Sequence, residues 1–249
     1  MENAPVINLI GVTPAPGTDT DTWNRYNNWN EEVYHPLLLT KVAGCTGTDR
    51  YRIVKENPAY PLQVTIMHYG NLKLWEDSLK SPERIAVAGE LTAWTKRRIM
   101  EVTWSNPYEL LKSFRSEQTS TTGKEDTRID DAPFMHLEAY YLRPESQEKY
   151  REWLINFGFN AFIPLFLRLP GLKGYDCYKN AGLKGLYDER EWDLPPFLSI
   201  LYFATIEAFE NYTRSPELIA FQKSLRSVFP PGLNFIWYVQ YQLVNSFRK

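Results

Sequence analysis

The chain has 249 residues, 43% of them hydrophobic and 23% charged, which is the balance of a globular protein. Its net charge is −2, and no block of Lys and Arg stands out, so no nucleic-acid partner is expected. No run of about 18 apolar residues predicts a membrane span, and the first residues do not read as a signal peptide. The two cysteines, Cys45 and Cys177, predict neither a disulfide framework nor a metal site, so we expect a reduced, cytoplasmic protein.

The first half of the chain predicts the order strand, helix, strand, strand, helix, strand. The apolar run 6–12 predicts the first strand, and side chains such as Trp23 and Tyr26 recur at helical spacing over residues 23–39, with a kink at Pro36. The other predicted elements are strands at 49–54, 62–69 and 98–104 and a helix at 74–88 that Pro82 can divide in two. This order is that of a ferredoxin-like unit.

The same pattern restarts after residues 116–132, a polar stretch that predicts a flexible linker. The restarted pattern predicts strands at 134–142, 175–179, 197–204 and 235–243 and helices at 145–167 and from 208 onward. The segment LWEDSLKSPERIAVAGEL at 74–91 returns as AFENYTRSPELIAFQKSL at 208–225, a shift of 134 residues (208 − 74). A repeat of this length indicates a duplicated unit.

The sequence therefore predicts an α+β protein made of two ferredoxin-like (βαββαβ) repeats, residues 1–115 and 133–249, joined by the linker at 116–132. Two helices cover one face of each predicted sheet and leave the other face bare. Packing the bare faces together removes apolar area from water, at about 25 cal/mol per Å². The two sheets would then enclose a space that is either packed shut or kept as a cavity. Because this dimer interface is internal, we expect a monomer.

Five residues of the first repeat form a pattern of aromatic, His, Gly and Tyr: Tyr26, Trp29, His35, Gly44 and Tyr51. Part of the pattern recurs in the second repeat at Tyr150, Trp153, Pro164, Gly171 and Tyr178. The chain thus resembles the dimeric α+β barrel superfamily, and within it the EthD-like and antibiotic-biosynthesis-monooxygenase-like proteins, as a tandem duplication. The resemblance implies a barrel of two units. It also implies an activity such as cofactor-free oxygenation of polyphenols, or isomerisation, decarboxylation or cyclisation of polyketide-like or terpenoid intermediates.

Some relatives in this superfamily, the chlorite-dismutase-like and aldoxime-dehydratase-like proteins, bind haem with two such units in one chain. They place the ligating histidine in the second unit. Here that unit contains a single histidine, His136, and Phe162 stands where His35 would align. The resemblance therefore disfavours haem, and we expect neither a cofactor nor a metal ion.

The chain has three histidines, which are the side chains best suited to proton transfer near neutral pH. His35 matches the histidine of the family pattern, although a histidine at a helix end can simply bond a carbonyl. His68 lies in an apolar strand, where a hydrogen-bonded core histidine is an equal alternative. His136 and Glu138 are two residues apart on a strand, so they project from the same face, and the carboxylate can set the tautomer of the imidazole. If that face points into the barrel, the pair is suited to acid–base catalysis, and if it points outward it is a solvated surface.

Aromatic side chains are candidates for stacking on a flat substrate, with core packing as the competing interpretation. The candidate substrate-binding residues are Tyr26, Trp29, Tyr69, Trp104, Tyr140, Tyr202 and Trp237, and Tyr238 beside the last of them is considered with it. The sequence contains no Gly-rich nucleotide loop, Ser nucleophile elbow, HExxH or CxxC motif.

These features favour a cofactor-independent enzyme of secondary metabolism that works by proton transfer and substrate shaping. The expected activity is that of an isomerase, cyclase or lyase acting on an apolar aromatic or polycyclic, polyketide- or terpenoid-like molecule in the barrel cavity. One alternative is a cofactor-free monooxygenase of polyphenols. The other is a non-catalytic barrel that binds small molecules or serves a stress response.

Overall fold

The computed structural model describes residues 5–116, 132–141, 143–183, 195–225 and 234–249. The strands of these residues are β1 (Val6–Pro14), β2 (Cys45–Ile53), β3 (Gln63–Tyr69), β4 (Met100–Arg115), β5 (Phe134–Tyr141), β6 (Leu172–Asn180), β7 (Phe197–Phe203) and β8 (Asn234–Arg248). The strands form a closed antiparallel barrel with the hydrogen-bonded order β1-β3-β2-β8-β5-β7-β6-β4. The predicted α+β class is confirmed.

Helices alternate with the strands in the predicted order. They are α1 (Thr20–Trp29), α2 (His35–Lys41), α3 (Leu72–Lys80), α4 (Pro82–Lys96), α5 (Pro144–Trp153), α6 (Ile163–Phe166), α7 (Ile206–Arg214) and α8 (Pro216–Leu225), with π-helical turns at Asn30–Tyr34 and Leu154–Phe162. Ser81 separates α3 from α4, because its hydroxyl accepts the N–H of Arg84 and Pro82 follows at the first helical position. Among the described residues, no helix is long and apolar enough to cross a membrane.

One compact unit contains the described residues 5–110, 180–183 and 242–249. Its strand order is β4-β1-β3-β2, with the last part of β8 beside β2. The register of β1 on β3 places Leu9 opposite Ile66. Helices α1 to α4 cover the sheet face that carries Val6, Ile10 and Met67, and an aromatic cluster fills the space between helices and sheet.

The second compact unit contains the described residues 111–116, 132–141, 143–179, 195–225 and 234–241. Its strand order is β8-β5-β7-β6, with the last part of β4 beside β6. Helices α5 to α8 pack on the sheet face that carries Phe134 and Phe203. The opposite face of β5 is also buried, since Leu137 and Ala139 are fully inaccessible.

The largest departures from the predicted elements are at the two long strands. Strand β4 was expected at 98–104 and β8 at 235–243, whereas both continue through a polar Ser-Phe-Arg tripeptide, residues 113–115 and 246–248. The predicted β4 ended before Asn106 and Pro107 and the predicted β8 before Asn245, because Asn and Pro are depleted in strands.

The predicted domain limits, 1–115 and 133–249, stay a prediction. Of the predicted linker 116–132, residues 117–131 lie outside the described part of the chain.

Candidate active site

A cavity of about 270 Å³ lies between the helices and the sheet of the second unit. Half of the residues in its wall are Phe, Tyr or Trp: Tyr150, Trp153, Phe162, Phe166, Tyr175, Phe209, Tyr212 and Tyr238. Strand β5 contributes His136 and Glu138. The helices of this unit line the cavity, so this cavity lies on the helix-covered face of the sheet, and the expectation of a cavity inside the barrel stays a prediction. The other face of β5, with Leu137 and Ala139, is closed by packing.

His136 and Glu138 are brought together by the alternation of β5. Pairing with β7 sets His136 opposite Leu201, on the sheet face that the helices cover. His136 is 1% exposed, and the Glu138 side chain is 17% exposed. The face that carries the pair is therefore not a solvated surface. The His136 ring also packs edge to face with Tyr238, at a centroid distance of 4.2 Å.

Both ring nitrogens of His136 are hydrogen-bonded. Nε2 lies 3.1 Å from Glu138 Oε1, and Nδ1 lies 2.9 Å from Nε2 of Gln240, on the neighbouring strand β8. An amide nitrogen can only donate, so Gln240 donates to an unprotonated Nδ1. The ring proton then resides on Nε2 and is donated to the carboxylate of Glu138.

His136 and Glu138 differ in their capacity to accept a proton from a bound molecule. His136 has no ring nitrogen left to take a proton from a bound molecule, because Gln240 and Glu138 engage both of them. A carboxylate has about four lone-pair positions, and the bond from His136 occupies one of them. Glu138 is therefore the better proton acceptor of the pair, and His136 holds it in position.

The tyrosines of the wall are protonated at neutral pH. Burial, followed by the negative charge of Glu138, raises the pKa of Tyr238 to about 12. The same two causes raise the pKa of Tyr212 well above its usual value of 10.0. Burial also raises the pKa of Tyr150 and of Tyr175 well above 10.0. Their hydroxyls therefore act as hydrogen-bond donors rather than as bases.

The residues of this wall do not fit a haem or a metal ion. A ligating histidine must present a free nitrogen to the metal, whereas the one histidine in the cavity wall has both nitrogens engaged by Gln240 and Glu138. The side chain of Phe162 occupies the wall nearby. Within the part of the chain that the structure describes, no group of three or more His, Cys, Asp or Glu side chains could hold a metal ion.

His35, a predicted catalytic residue, lies in the first unit at the start of α2, and it is fully buried. Its Nδ1 is 2.7 Å from Oγ1 of Thr48, and its ring stacks on Phe247 at 5.2 Å. Burial, and then the positive charge of Arg50, lowers the pKa of His35 to about 3. The ring is neutral at physiological pH, and it is not part of the cavity wall.

His68, the other predicted catalytic histidine, lies on the face of β3 opposite to Met67. Its Nε2 is 2.7 Å from Oδ2 of Asp49. The carboxylate of Asp49 also accepts hydrogen bonds from Ser246, at Oδ1, and from Arg248, at Oδ2. Hydrogen bonds from His68 and Arg248 overcome the effect of burial and hold the pKa of Asp49 below its usual range. His68 is thus a member of a hydrogen-bond network of the first unit.

Five of the seven predicted substrate-binding aromatics lie away from the cavity wall. Four of them, Tyr26, Trp29, Tyr69 and Trp104, belong to the first unit. There Tyr26 packs against Trp94 at 5.5 Å, and Trp29 lies 5.4 Å from Tyr34, as parts of the aromatic cluster.

The remaining candidates are on the strands of the second unit. Tyr202 lies on the other face of β7, where the guanidinium of Arg115 is 5.7 Å from its ring centre. The side chains of Tyr140 and Trp237 lie outside the described part of the structure.

The sequence interpretation missed the most informative members of the site, Gln240 and Tyr212. Alternation on β8 puts Gln240 on the same face as Tyr238, which was considered for stacking. Tyr212 stands in the repeated motif where the first copy has Ser78 (78 + 134 = 212). Such a difference between repeats was the available signal for a site in only one of them.

Solved structures with the same fold cover almost the whole chain. An anthrone oxidase-like protein is 14% identical with a TM-score of 0.61, over 100% of this chain and 94% of that one. A candidate monooxygenase from Fusobacterium nucleatum subsp. nucleatum is 11% identical with a TM-score of 0.59, over 100% of this chain and 96% of the other. A mutant chlorite dismutase from Candidatus Nitrospira defluvii in complex with cyanide is 13% identical with a TM-score of 0.56, over 98% and 92%.

The protein has the dimeric α+β barrel fold. Its structural neighbours all belong to this superfamily, which confirms the resemblance at the level of the fold. No protein-family model matches the sequence, and no curated protein sequence does. At identities of 11% to 14%, the neighbours establish the architecture of the chain and not its reaction.

Proposed function

We propose that the protein is a small-molecule enzyme in which Glu138 removes a proton from an apolar compound bound in the cavity of the second unit. The observation that carries the proposal is the 3.1 Å hydrogen bond that fixes Glu138 to His136 at an aromatic wall. Water that hydrates a carboxylate stabilises its charge and makes it a poor base. An apolar wall excludes water, so a carboxylate beside it is a stronger base. The volume of about 270 Å³ is near the lower end for ligand sites, about 300 Å³, and fits a compact ring compound.

In this proposal Glu138 is the base, and His136 and Gln240 are positioning residues. Gln240 fixes the tautomer of His136, and the Nε2–H of His136 then holds one oxygen of Glu138. The carboxylate therefore meets the substrate in one orientation. Fixed orientation removes part of the entropic barrier of a proton transfer.

Two reactions can follow the removal of the proton, and both are supported equally. Without an oxidant, reprotonation at another atom or loss of a leaving group gives an isomerase, cyclase or lyase. With O₂ as co-substrate, the carbanion is oxidised, as in the conversion of anthrone and O₂ to anthraquinone and water. The names of the anthrone oxidase-like and monooxygenase neighbours favour the second reaction. The first reaction is favoured because the proton transfer to Glu138 needs no oxidant.

Anthrone is a suitable probe, because it is a compact tricyclic compound with an acidic methylene group. Without oxygen, the protein in D₂O should accelerate the exchange of the methylene hydrogens, seen as the loss of their proton NMR signal. Glu138→Gln should abolish the acceleration. Glu148→Gln, which removes a carboxylate whose side chain is 72% exposed on α5, should leave it unchanged. Exchange that is no faster than in buffer, with anthrone bound, would leave a binding protein in place of an enzyme.

Oxygen then separates the two reactions. Consumption of one O₂ per anthrone, with anthraquinone as the product, would identify an oxygenase. Exchange without oxygen uptake would identify an enzyme of the isomerase, cyclase or lyase class.

We also propose that the fold arose from two ferredoxin-like repeats, residues 1–115 and 133–249. The order β4-β1-β3-β2 in one unit corresponds to β8-β5-β7-β6 in the other. Each Ser-Phe-Arg tripeptide binds a buried aspartate in the same manner: Ser113 and Arg115 donate to Asp176, and Ser246 and Arg248 donate to Asp49. An internal pair of repeats implies a monomer, which light scattering on the purified protein would test.

A further inference from the structure

The hydroxyl of Tyr212 is an unused donor in the cavity. Tyr212 is 4% exposed, lines the cavity, and has no hydrogen-bond partner among the described residues. Hydroxyl groups inside proteins are nearly always hydrogen-bonded, and a hydroxyl in a cavity wall is open to a bound molecule. A ligand with an oxygen that accepts from Tyr212 would use this donor.

The charge of the cavity restricts the ligand further. The described residues of its wall include the carboxylate of Glu138 and no Lys or Arg. The same negative charge contributes to the raised pKa of Tyr212 and of Tyr238, so it acts across the cavity. A carboxylate or phosphate on the ligand would be repelled by Glu138 and would find no cation to pair with.

From these two observations we infer that the substrate is an uncharged cyclic ketone whose carbonyl oxygen accepts a hydrogen bond from Tyr212. The inference rests on the proposed role of Glu138 and deepens it. When Glu138 takes the proton from a carbon conjugated with the carbonyl, the C–H electron pair forms a carbon–carbon double bond. The carbonyl π pair moves onto the oxygen, and the products are an enolate and a protonated Glu138. The Tyr212 hydroxyl stabilises the oxyanion and keeps its own proton.

A matched pair of unreactive ligands tests the contact with the carbonyl. Fluorenone and fluorene differ by a carbonyl in place of a methylene group, and neither requires proton transfer to bind. Wild-type protein should bind fluorenone about tenfold more tightly than fluorene, measured by quenching of tryptophan fluorescence. In Tyr212→Phe the two affinities should be equal, because the ring remains and only the donor is lost.

The control is Tyr51→Phe, which removes the hydroxyl of a tyrosine of similar burial, 5% exposed, in the first unit. It should keep the preference for fluorenone. An unchanged preference in folded Tyr212→Phe, or no preference in the wild-type protein, would overturn the inference.

A second pair of ligands tests the charge. Fluorenone-4-carboxamide and fluorenone-4-carboxylate are similar in size, and the carboxylate should bind at least about tenfold more weakly to the wild-type protein. Glu138→Gln should narrow this difference. Equal binding of the two by the wild-type protein would contradict an uncharged substrate.

The binding tests examine the role of Tyr212, and the exchange test examines the role of Glu138, so one role can be rejected while the other is retained. A Tyr212-dependent preference for the ketone together with no exchange of anthrone would leave the ligand class standing and reject Glu138 as the base. Exchange that depends on Glu138, without any preference for the ketone, would retain the base and reject the role of Tyr212.

Discussion

At the scale of single residues, the site depends on which atom of His136 carries the proton. The amide of Gln240 decides this, because its nitrogen donates to Nδ1 and leaves the proton on Nε2, facing Glu138. The adjacency of His136 and Glu138 was predictable, because residues two apart on a strand share a face. The contact between His136 and Gln240 was not predictable, because these residues are 104 apart in the sequence.

Gln240→Glu should change the protonation of His136. A carboxylate in place of the amide accepts from Nδ1, so the ring would hold two protons between two carboxylates. Nitrogen NMR should show one protonated and one unprotonated ring nitrogen in the wild-type protein, and two protonated nitrogens in the variant. Gln222→Glu adds the same charge at an exposed position of the cavity wall and should leave the His136 signals as they are. An Nδ1 that is already protonated in the wild-type protein would contradict the assigned tautomer.

At the scale of elements, the order of strands and helices was predictable because each segment keeps its hydrophobic period. The ends of β4 and β8 were not predictable, because Asn106, Pro107 and Asn245 are of residue types that strands seldom contain. The sequence of β5 did not predict which face of the sheet borders the cavity either. Both faces of that strand are buried, so its alternation does not distinguish them.

Asp176→Asn should destabilise the second unit strongly. Asp176 is fully buried and pairs with Arg115 at 2.6 Å, so its neutralisation leaves a mostly buried guanidinium without its counter-charge. We expect a loss of about 3–5 kcal/mol in the free energy of unfolding, measured with urea. Asp77→Asn breaks a pair with Lys73 whose side chains are 77% and 54% exposed, and it should cost less than about 1 kcal/mol. Equal effects would contradict a structural role for the buried pair.

Gly171→Ala should also destabilise the second unit. Gly171 has φ +93°, and a Cβ there would lie 2.9 Å from the carbonyl oxygen of Ala208. Gly182 has φ +71° with no atom within 4 Å of an added Cβ, so Gly182→Ala carries only the cost of the backbone conformation, about 1–2 kcal/mol. Urea unfolding should show the larger loss for Gly171→Ala. A smaller loss than for Gly182→Ala would contradict the close approach of α7.

At the scale of the whole molecule, the two compact units pack the space beneath their helices differently. In the first unit an aromatic cluster with Tyr26, Trp29 and Trp94 packs under the helices, whereas in the second unit the corresponding region keeps a cavity. The proposed duplication rests on the sequence, in which Ser-Pro-Glu recurs at a fixed shift. The space that the second unit keeps beneath its helices depends on the packing of many side chains, which the periodicity of the sequence does not encode.

The buried His35 should make folding depend on pH. Its pKa is about 3 in the folded protein and 6.5 as an unperturbed group. Between these values the unfolded chain binds a proton that the folded chain does not. Stability should therefore be fully present above pH 6.5 and fall as the pH drops toward 3, by up to about 1.4 kcal/mol per pH unit.

His35→Phe, which introduces the residue type found at Phe162 in the second repeat, should flatten this part of the curve. Urea unfolding of both proteins across this pH range measures the difference. The same slope in the variant and in the wild-type protein would show that other groups cause the acid sensitivity.

The role of Glu138 is tested most directly by the exchange of anthrone hydrogens in D₂O without oxygen, compared between the wild-type protein and Glu138→Gln at equal ligand occupancy. A general base contributes about 10²–10⁴-fold to the rate of a proton transfer. We expect the exchange rate to fall by at least about 100-fold in the variant while anthrone still binds. An exchange rate in Glu138→Gln that equals the wild-type rate would show that the proton is taken by another group, and the account of this site would be wrong.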